Sequence, residues 1–232
     1  LIVTHDGAHF DDYLAAWILR EHGGTRYPGV TTAKVEPRPV ARIKGKTPAQ
    51  WLDERVILVG IGEGPYDDPP KIVGQEVCAA VLVARDLGVA DDPFLKPLLD
   101  YALRVDARGK GAFFDLADCI GRFVRSGRDP MWILGWMEEA IKAYIDDKAS
   151  VLLAAADGAK ATLEKIPMGD KTGILAVVES DNPDVHRFLM QDQNAKVVIA
   201  RRSDGHFQIF TRQDYFRWNH ISLDDVARII RR

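Results

Sequence analysis

LIVTHDGAHFDDYLAAWIL, residues Leu1–Leu19, is the stretch on which the fold turns. Leu1–Thr4 is a short apolar, β-branched run of the kind that forms a buried strand. His5–Asp12 is a polar loop with a glycine. Tyr13, Leu14, Trp17 and Ile18 then recur at helical spacing up to Gly23-Gly24. Asp11 or Asp12 stands where a helix N-cap belongs. A buried strand, a polar loop and an amphipathic helix are how an α/β sheet begins.

The pattern continues outward from there. Ala33–Arg38 reads as a second strand, stopped by Pro37 and Pro39, and Thr47-Pro48 opens a short helix. Val56–Ile61 is another buried-strand candidate. Strand, helix, strand, helix, strand predicts a parallel sheet with covering helices. Glu76–Leu87, Pro93–Val105 and Phe113–Val124 read as helices, with Asp106–Gly111 a loop between the last two. Asp129–Ile166 is helical in character with one interruption at Asp157-Gly158. Uninterrupted, it would span roughly 57 Å, a length suited to a connector between two lobes. Beyond Pro167 come strand Gly173–Val178, helix Pro183–Met190, strands Val197–Arg201 and Phe207–Thr211, and a last helix from Ser222. The expected fold is α/β, with a parallel-sheet lobe over 1–126, a linking helix over 127–166 and a smaller α/β domain over 167–232.

Composition narrows the function classes only a little. The 232 residues carry 31 Lys plus Arg against 34 Asp plus Glu, a net charge of -3. That excludes a globally basic nucleic-acid coat and an acidic disordered tail. Two cysteines, Cys78 and Cys119, cannot build a disulfide framework or a Cys-rich zinc site. Apolar runs such as Val151–Ala156 fall far short of the roughly 20 residues of a membrane span. No secretion leader is read at the start, and a few residues are expected ahead of Leu1. The expected location is the cytoplasm. The charge is unevenly spread: Lys196–Arg232 has eight Lys or Arg against four Asp, +4, which leaves -7 for the 195 residues before it.

Chemistry concentrates in His5–Asp12, which offers two imidazoles and the carboxylates of Asp6, Asp11 and Asp12. Open parallel sheets bind ligands beyond the carboxyl ends of their strands, and His with Asp is a ligand set for Mn2+, Fe2+ or Zn2+. The plainer alternative has Asp11 capping the helix and both histidines on a solvated loop. Gly60-x-Gly62-x-Gly64 could bring backbone N–H groups to a phosphate, but without a P-loop lysine it reads first as a turn.

His5-x-x-x-His9-x-Asp11 resembles the first motif, H-x-x-x-D-x-D, of the DHH phosphoesterase superfamily. THDGAHFDDYLAAWIL is still more similar to the opening of its melanocyte-proliferating-gene type, metal-dependent hydrolases that read T-H-N/S-G-x-F-H-A/C-D-D/E-x-x-A. ILVGIGEGPYD resembles that branch's V-V-D-V-G-G-x-Y-D-P, and CAAVLVARDLGV its S-S-A-G-L-V-W-K-x-x-G helix. The resemblance implies two lobes joined by a long helix and one or two Mn2+-type ions. It implies His5, His9, Asp11 and Asp106 as metal ligands, with His9 and Asp11 catalytic. Departures accompany it. The Asp that bridges two metals in the family aligns with Gly60, and DPPKIVGQEV, where the D-H-H triplet belongs, contains no histidine. Glu63, Asp67 and Asp68 are near enough in sequence to substitute.

Arg201, Arg202 and His206 surround the turn Ser203-Asp204-Gly205, and Gly205-His206 is similar to the superfamily's phosphate-gripping element. With Arg108 they are the expected substrate-binding residues; a hairpin turn with solvated arginines is the alternative. Phe207, Phe210, Tyr215, Phe216 and Trp218 could stack bases or belong to the core. The expectation is a divalent-metal-dependent phosphoesterase acting on nucleotides or short single-stranded nucleic acid. Its partners would be a phosphate-containing small molecule or such a strand, with no membrane and with a homodimer left open. The alternatives are a catalytically degenerate member that binds a nucleotide or protein, and a single-metal hydrolase of another bond.

Overall fold

Three strands, β1 (Ile2–His5), β2 (Val35–Arg38) and β3 (Ile57–Leu58), pair in parallel in the order β2-β1-β3. The computed structural model describes residues 1–67, 77–109, 111–168 and 171–212. It is a mixed α/β structure that divides into two units, Leu1–Ala143 and Tyr144–Arg232. The expected helix from Ser222, together with Asp68, Lys110, Tyr215, Phe216, Trp218 and the segment 69–76, lies outside the described residues.

In the first unit, β1 is the central strand, so Ile2, Val3 and Thr4 are fully buried. Val3 and Leu58 join Ile43, Trp51 and Ile61 in one apolar cluster. Trp51 comes from α2 (Pro48–Asp53), whose N-cap Thr47 accepts the Gln50 N–H while Gln50 Oε1 accepts the Thr47 N–H. β3 is shorter than the expected Val56–Ile61. Gly60 and Gly62 take positive φ of 62° and 86° and bend the chain out of the sheet.

Helix α1 (Phe10–His22) is buried from Phe10 to Leu19 and packs against α3 (Ala79–Asp86), α4 (Lys96–Arg108) and α5 (Leu116–Arg125). Helices α3, α4 and α5 each begin three residues later than sequence patterning places them. Cys78, Leu95 and Asp115 stand at their N-caps. Helix α4 also runs on through Asp106 to Arg108, because Gly109, at φ 68°, supplies the left-handed C-terminal turn. Asp106 is therefore a residue of the helix's last turn and not of a loop.

Helix α6 (Pro130–Gly158) contributes Ile133, Leu134 and Met137 to the first unit's buried set. The Met131 sulfur accepts the Val35 N–H of β2. The unit boundary falls inside α6, between Ala143 and Tyr144. The helix ends at Gly158, where a Cβ would stand 2.3 Å from the Phe188 ring. Thr162–Ile166, expected as helix, belongs to strand β4 (Thr162–Met168), paired antiparallel with β5 (Lys171–Glu179).

The second unit is a sheet of order β4-β5-β6-β7, with β6 (Val197–Arg201) parallel to β5 and β7 (Phe207–Thr211) antiparallel to β6. Helix α7 (Val185–Gln191) makes the β5–β6 crossover. Ala176, Val178, Val198 and Ala200 pack with Val185, Leu189 and Ala154, while Leu175, Val197 and Ile199 form a separate apolar cluster. That is the alternation a twofold strand period demands.

One polar tie crosses the first unit. The Tyr66 hydroxyl, on a residue 2% exposed, donates to Asp86 and meets the Tyr27 hydroxyl at 2.5 Å. Arg26 reaches the other Asp86 oxygen at 2.9 Å. Removing the carboxylate strands two phenols, so Asp86→Ala is expected to destabilise the protein by roughly 1–3 kcal/mol. Urea unfolding followed by tryptophan fluorescence measures this.

Candidate metal centre

The loop from β1 to α1 is closed by a helix-capping device. His9 takes extended backbone angles at the N-cap of α1, and Asp12 is the third helical residue. Asp12 Oδ2 accepts the His9 N–H at 2.7 Å, as a capping-box acid does. The same oxygen lies 3.1 Å from His5 Nε2 at the end of β1. The Gly7 N–H donates to His5 Nδ1 at 3.1 Å, which puts the proton of the neutral imidazole on Nε2, facing Asp12. The two imidazoles meet edge to face, 5.2 Å between centroids.

These contacts bring together His5, His9 and Asp12, each offering one ligand atom within 4.8 Å of the others. Two imidazoles and a carboxylate are a fitting donor set for one divalent transition ion. His9 is exposed, His5 half-buried and Asp12 2% exposed, so the group is anchored inside and open at its rim.

Gly60 explains why the carboxylate can sit there. A Cβ at Gly60 would stand 2.0 Å from Asp12 Oδ1 and 3.7 Å from His5 Cδ2. The backbone there is also left-handed, at φ 62°. The space into which a side chain at position 60 would project is taken by the Asp12 carboxylate. The Gly60 amide already donates to the Tyr66 carbonyl at 2.8 Å, so the glycine-spaced stretch is a turn and not a phosphate cradle. At Gly62 a Cβ would press on Ile43 and Leu58 at 2.9 Å.

A cavity of about 580 Å³ opens beside the loop, with His5, Asp6, Lys44, Lys46, Glu63 and Asp67 in its wall. Lys46 is paired with Glu54 and lies 4.6 Å from the Trp51 ring centroid. Asp67 Oδ2 accepts the Glu63 N–H at 2.6 Å, so this acid ties its own loop.

Comparison of the chain with protein-family models, with curated proteins and with solved structures finds no match.

The expected site residues distribute as follows. His5 and His9 converge with Asp12. Asp11 lies buried in the first turn of α1 and is not part of the converging group. Asp106, in the last turn of α4, is also outside it. Arg108 is exposed at the end of α4. Arg201, Arg202 and His206 belong to the second unit, each beside a carboxylate: Glu179 at 3.0 Å, Asp181 at 3.8 Å and Asp204 at 3.0 Å. Gly205, at φ 86°, makes the β6–β7 hairpin turn. Sequence reasoning counts Asp12 among the loop's carboxylates but gives the ligand role to Asp11, and it misses Lys44 and Lys46 as cavity wall. The available signal was the capping-box spacing of His9 and Asp12.

The hydrogen bond that His5 donates to Asp12 raises the His5 pKa above its ordinary value; burial opposes this, and the charges of Asp12, Asp11 and Asp6 add to it. Protonation costs the Gly7 bond, but that amide is exposed and can turn to water. Because the folded pKa exceeds the unfolded one, the pair stabilises fully below the ordinary value of about 6.5. That contribution is lost as pH rises through the raised folded value. In metal-free protein an NMR titration is therefore expected to place the His5 midpoint above an ordinary histidine's, and Asp12→Asn is expected to lower it.

Proposed function

We propose that this chain is a cytoplasmic divalent-metal-dependent phosphoesterase of DHH type, hydrolysing phosphate esters of nucleotides or short single-stranded nucleic acid. One ion of the Mn2+ class would be held by His5, His9 and Asp12. The observation that carries the reading is the convergence of those three side chains at the carboxyl end of the central strand of a parallel sheet. The motif resemblance of residues 1–19 and the lysines of the adjoining cavity support it.

When bound there, a divalent ion lowers the pKa of a water and polarises a phosphoryl oxygen. The chain's own residues do the rest. Asp12 fixes the loop through the His9 amide and orients the His5 ring. Lys44 places positive charge in the cavity wall, where an anionic phosphate ester gains from it, while Lys46 beside it is paired with Glu54. Asp12, and not Asp11, is the carboxylate ligand on this reading. No second-metal set accompanies it among the described residues.

A second reading rests on the same hydrogen bonds. His5 Nδ1 is engaged by Gly7 and Nε2 by Asp12, so the pair is complete without an ion. A binding module that no longer needs metal would keep that arrangement.

Hydrolysis of bis(p-nitrophenyl) phosphate with and without Mn2+ separates the readings. Mn2+-dependent turnover is expected, lowered at least about a hundredfold by His9→Ala or Asp12→Ala, in keeping with loss of a metal ligand. Asp11→Ala is expected to cost much less. Metal-independent or absent turnover in folded wild-type protein contradicts the enzymatic reading.

A further inference from the structure

The most exposed large apolar side chains of the described residues are two adjacent rings, Phe113 at 87% and Phe114 at 73% exposure. They sit on the turn before α5, their centroids 5.9 Å apart. Phe114 has φ 64°, a left-handed conformation that is costly for a bulky residue. Exposure and backbone strain together are unfavourable for stability alone, and such strain gathers at functional sites.

The turn is firmly built. Asp115 accepts the Ala112 N–H at 2.7 Å and the Asp118 N–H at 2.9 Å; Asp118 accepts the Phe114 N–H at 3.0 Å and the Arg122 Nε–H at 2.8 Å. A Cβ at Gly111 would stand 2.2 Å from Asp115 Oδ1, so glycine is required there. Charge surrounds the rings. The Arg122 guanidinium lies over Phe113 at 5.8 Å, and Arg104–Arg128 contains six Lys or Arg against three Asp, in a chain whose net charge is -3.

A chain of contacts links α5 to the metal loop. Tyr101 packs edge-on against Phe10 at 5.0 Å, and Phe10 directly follows His9. The Tyr101 hydroxyl accepts the Ala117 N–H at the start of α5 at 3.1 Å. Two side chains therefore connect the candidate metal ligands to the element that carries the rings.

We propose that Phe113 and Phe114 form a stacking platform for the bases of a single-stranded oligonucleotide, with Arg108, Arg122 and Arg125 facing its phosphates. This deepens the phosphoesterase reading and rests on it, by naming an oligonucleotide and not a mononucleotide as the substrate class. Aromatic rings beside arginines are the combination that holds single strands without base preference, since every base has a π face. A membrane or protein partner could use the same rings, but the arginines around them and the side-chain contacts from α5 to the residue after His9 favour a phosphate-bearing strand.

The test is fluorescence anisotropy with a labelled oligothymidylate of about eight nucleotides, in EDTA so that no turnover intervenes. Phe113→Ala/Phe114→Ala is expected to weaken binding at least about tenfold, and Phe113→Trp to preserve it. An abasic strand of the same length is expected to bind wild type and the double variant alike. Both positions are exposed, and an unchanged urea midpoint confirms that the double variant is folded. Equal binding of the thymidylate by wild type and double variant, or no binding by wild type, overturns the proposal. So does sedimentation with phosphatidylserine vesicles that depends on the two rings when oligonucleotide binding does not. Failure of Mn2+-dependent hydrolysis of the small phosphodiester overturns the enzymatic reading separately, because the anisotropy measurement needs neither metal nor turnover.

Discussion

A single carboxylate oxygen, Asp12 Oδ2, organises the candidate site. It accepts the amide of His9 at 2.7 Å and faces the imidazole of His5 at 3.1 Å. The first contact starts α1 and the second ties that start to the end of the central strand. The oxygen belongs to a side chain only 2% exposed, so both contacts are made where competition from water is weak. Without it, the two histidines would belong to a polar loop with nothing to bring them together. Gly60 is the complement: any side chain there would meet the same carboxylate.

This constraint bears on how many ions the loop can serve. In the superfamily that the opening motif resembles, the residue aligned with Gly60 is the bridging Asp. Here that space holds Asp12, which arrives from α1 and not from the loop after β3. The donor set among the described residues is two imidazoles and one carboxylate. Asp67, an acid on the same loop, is occupied with the Glu63 amide. The account is therefore a one-metal account.

Much of the first unit was legible from local pattern. The buried run at Leu1–Thr4, the capped helix at Thr47-Pro48 and the helical spacing after Asp12 each correspond to an element, because burial and capping act over a few residues. Strands at Val197–Arg201 and Phe207–Thr211 were legible to the residue for the same reason. Thr162–Ile166 reads as helix in the sequence because its strand character comes from pairing with β5, a partner that periodicity does not reveal. The site was half legible. His5 and His9 stand out by type, whereas the choice of Asp12 over Asp11 depends on which carboxylate turns back toward the N-cap. The Phe113-Phe114 turn was absorbed into a helix, since nothing in the sequence shows that α5 starts only at Leu116.

Calorimetric titration of Mn2+ into metal-free protein, repeated with Asp12→Ala, tests the central claim most directly. The account predicts one ion bound per chain, with proton release from the protonated fraction of His5, and loss of that binding in the variant. No binding by the folded wild-type chain, or undiminished binding by Asp12→Ala, would contradict it.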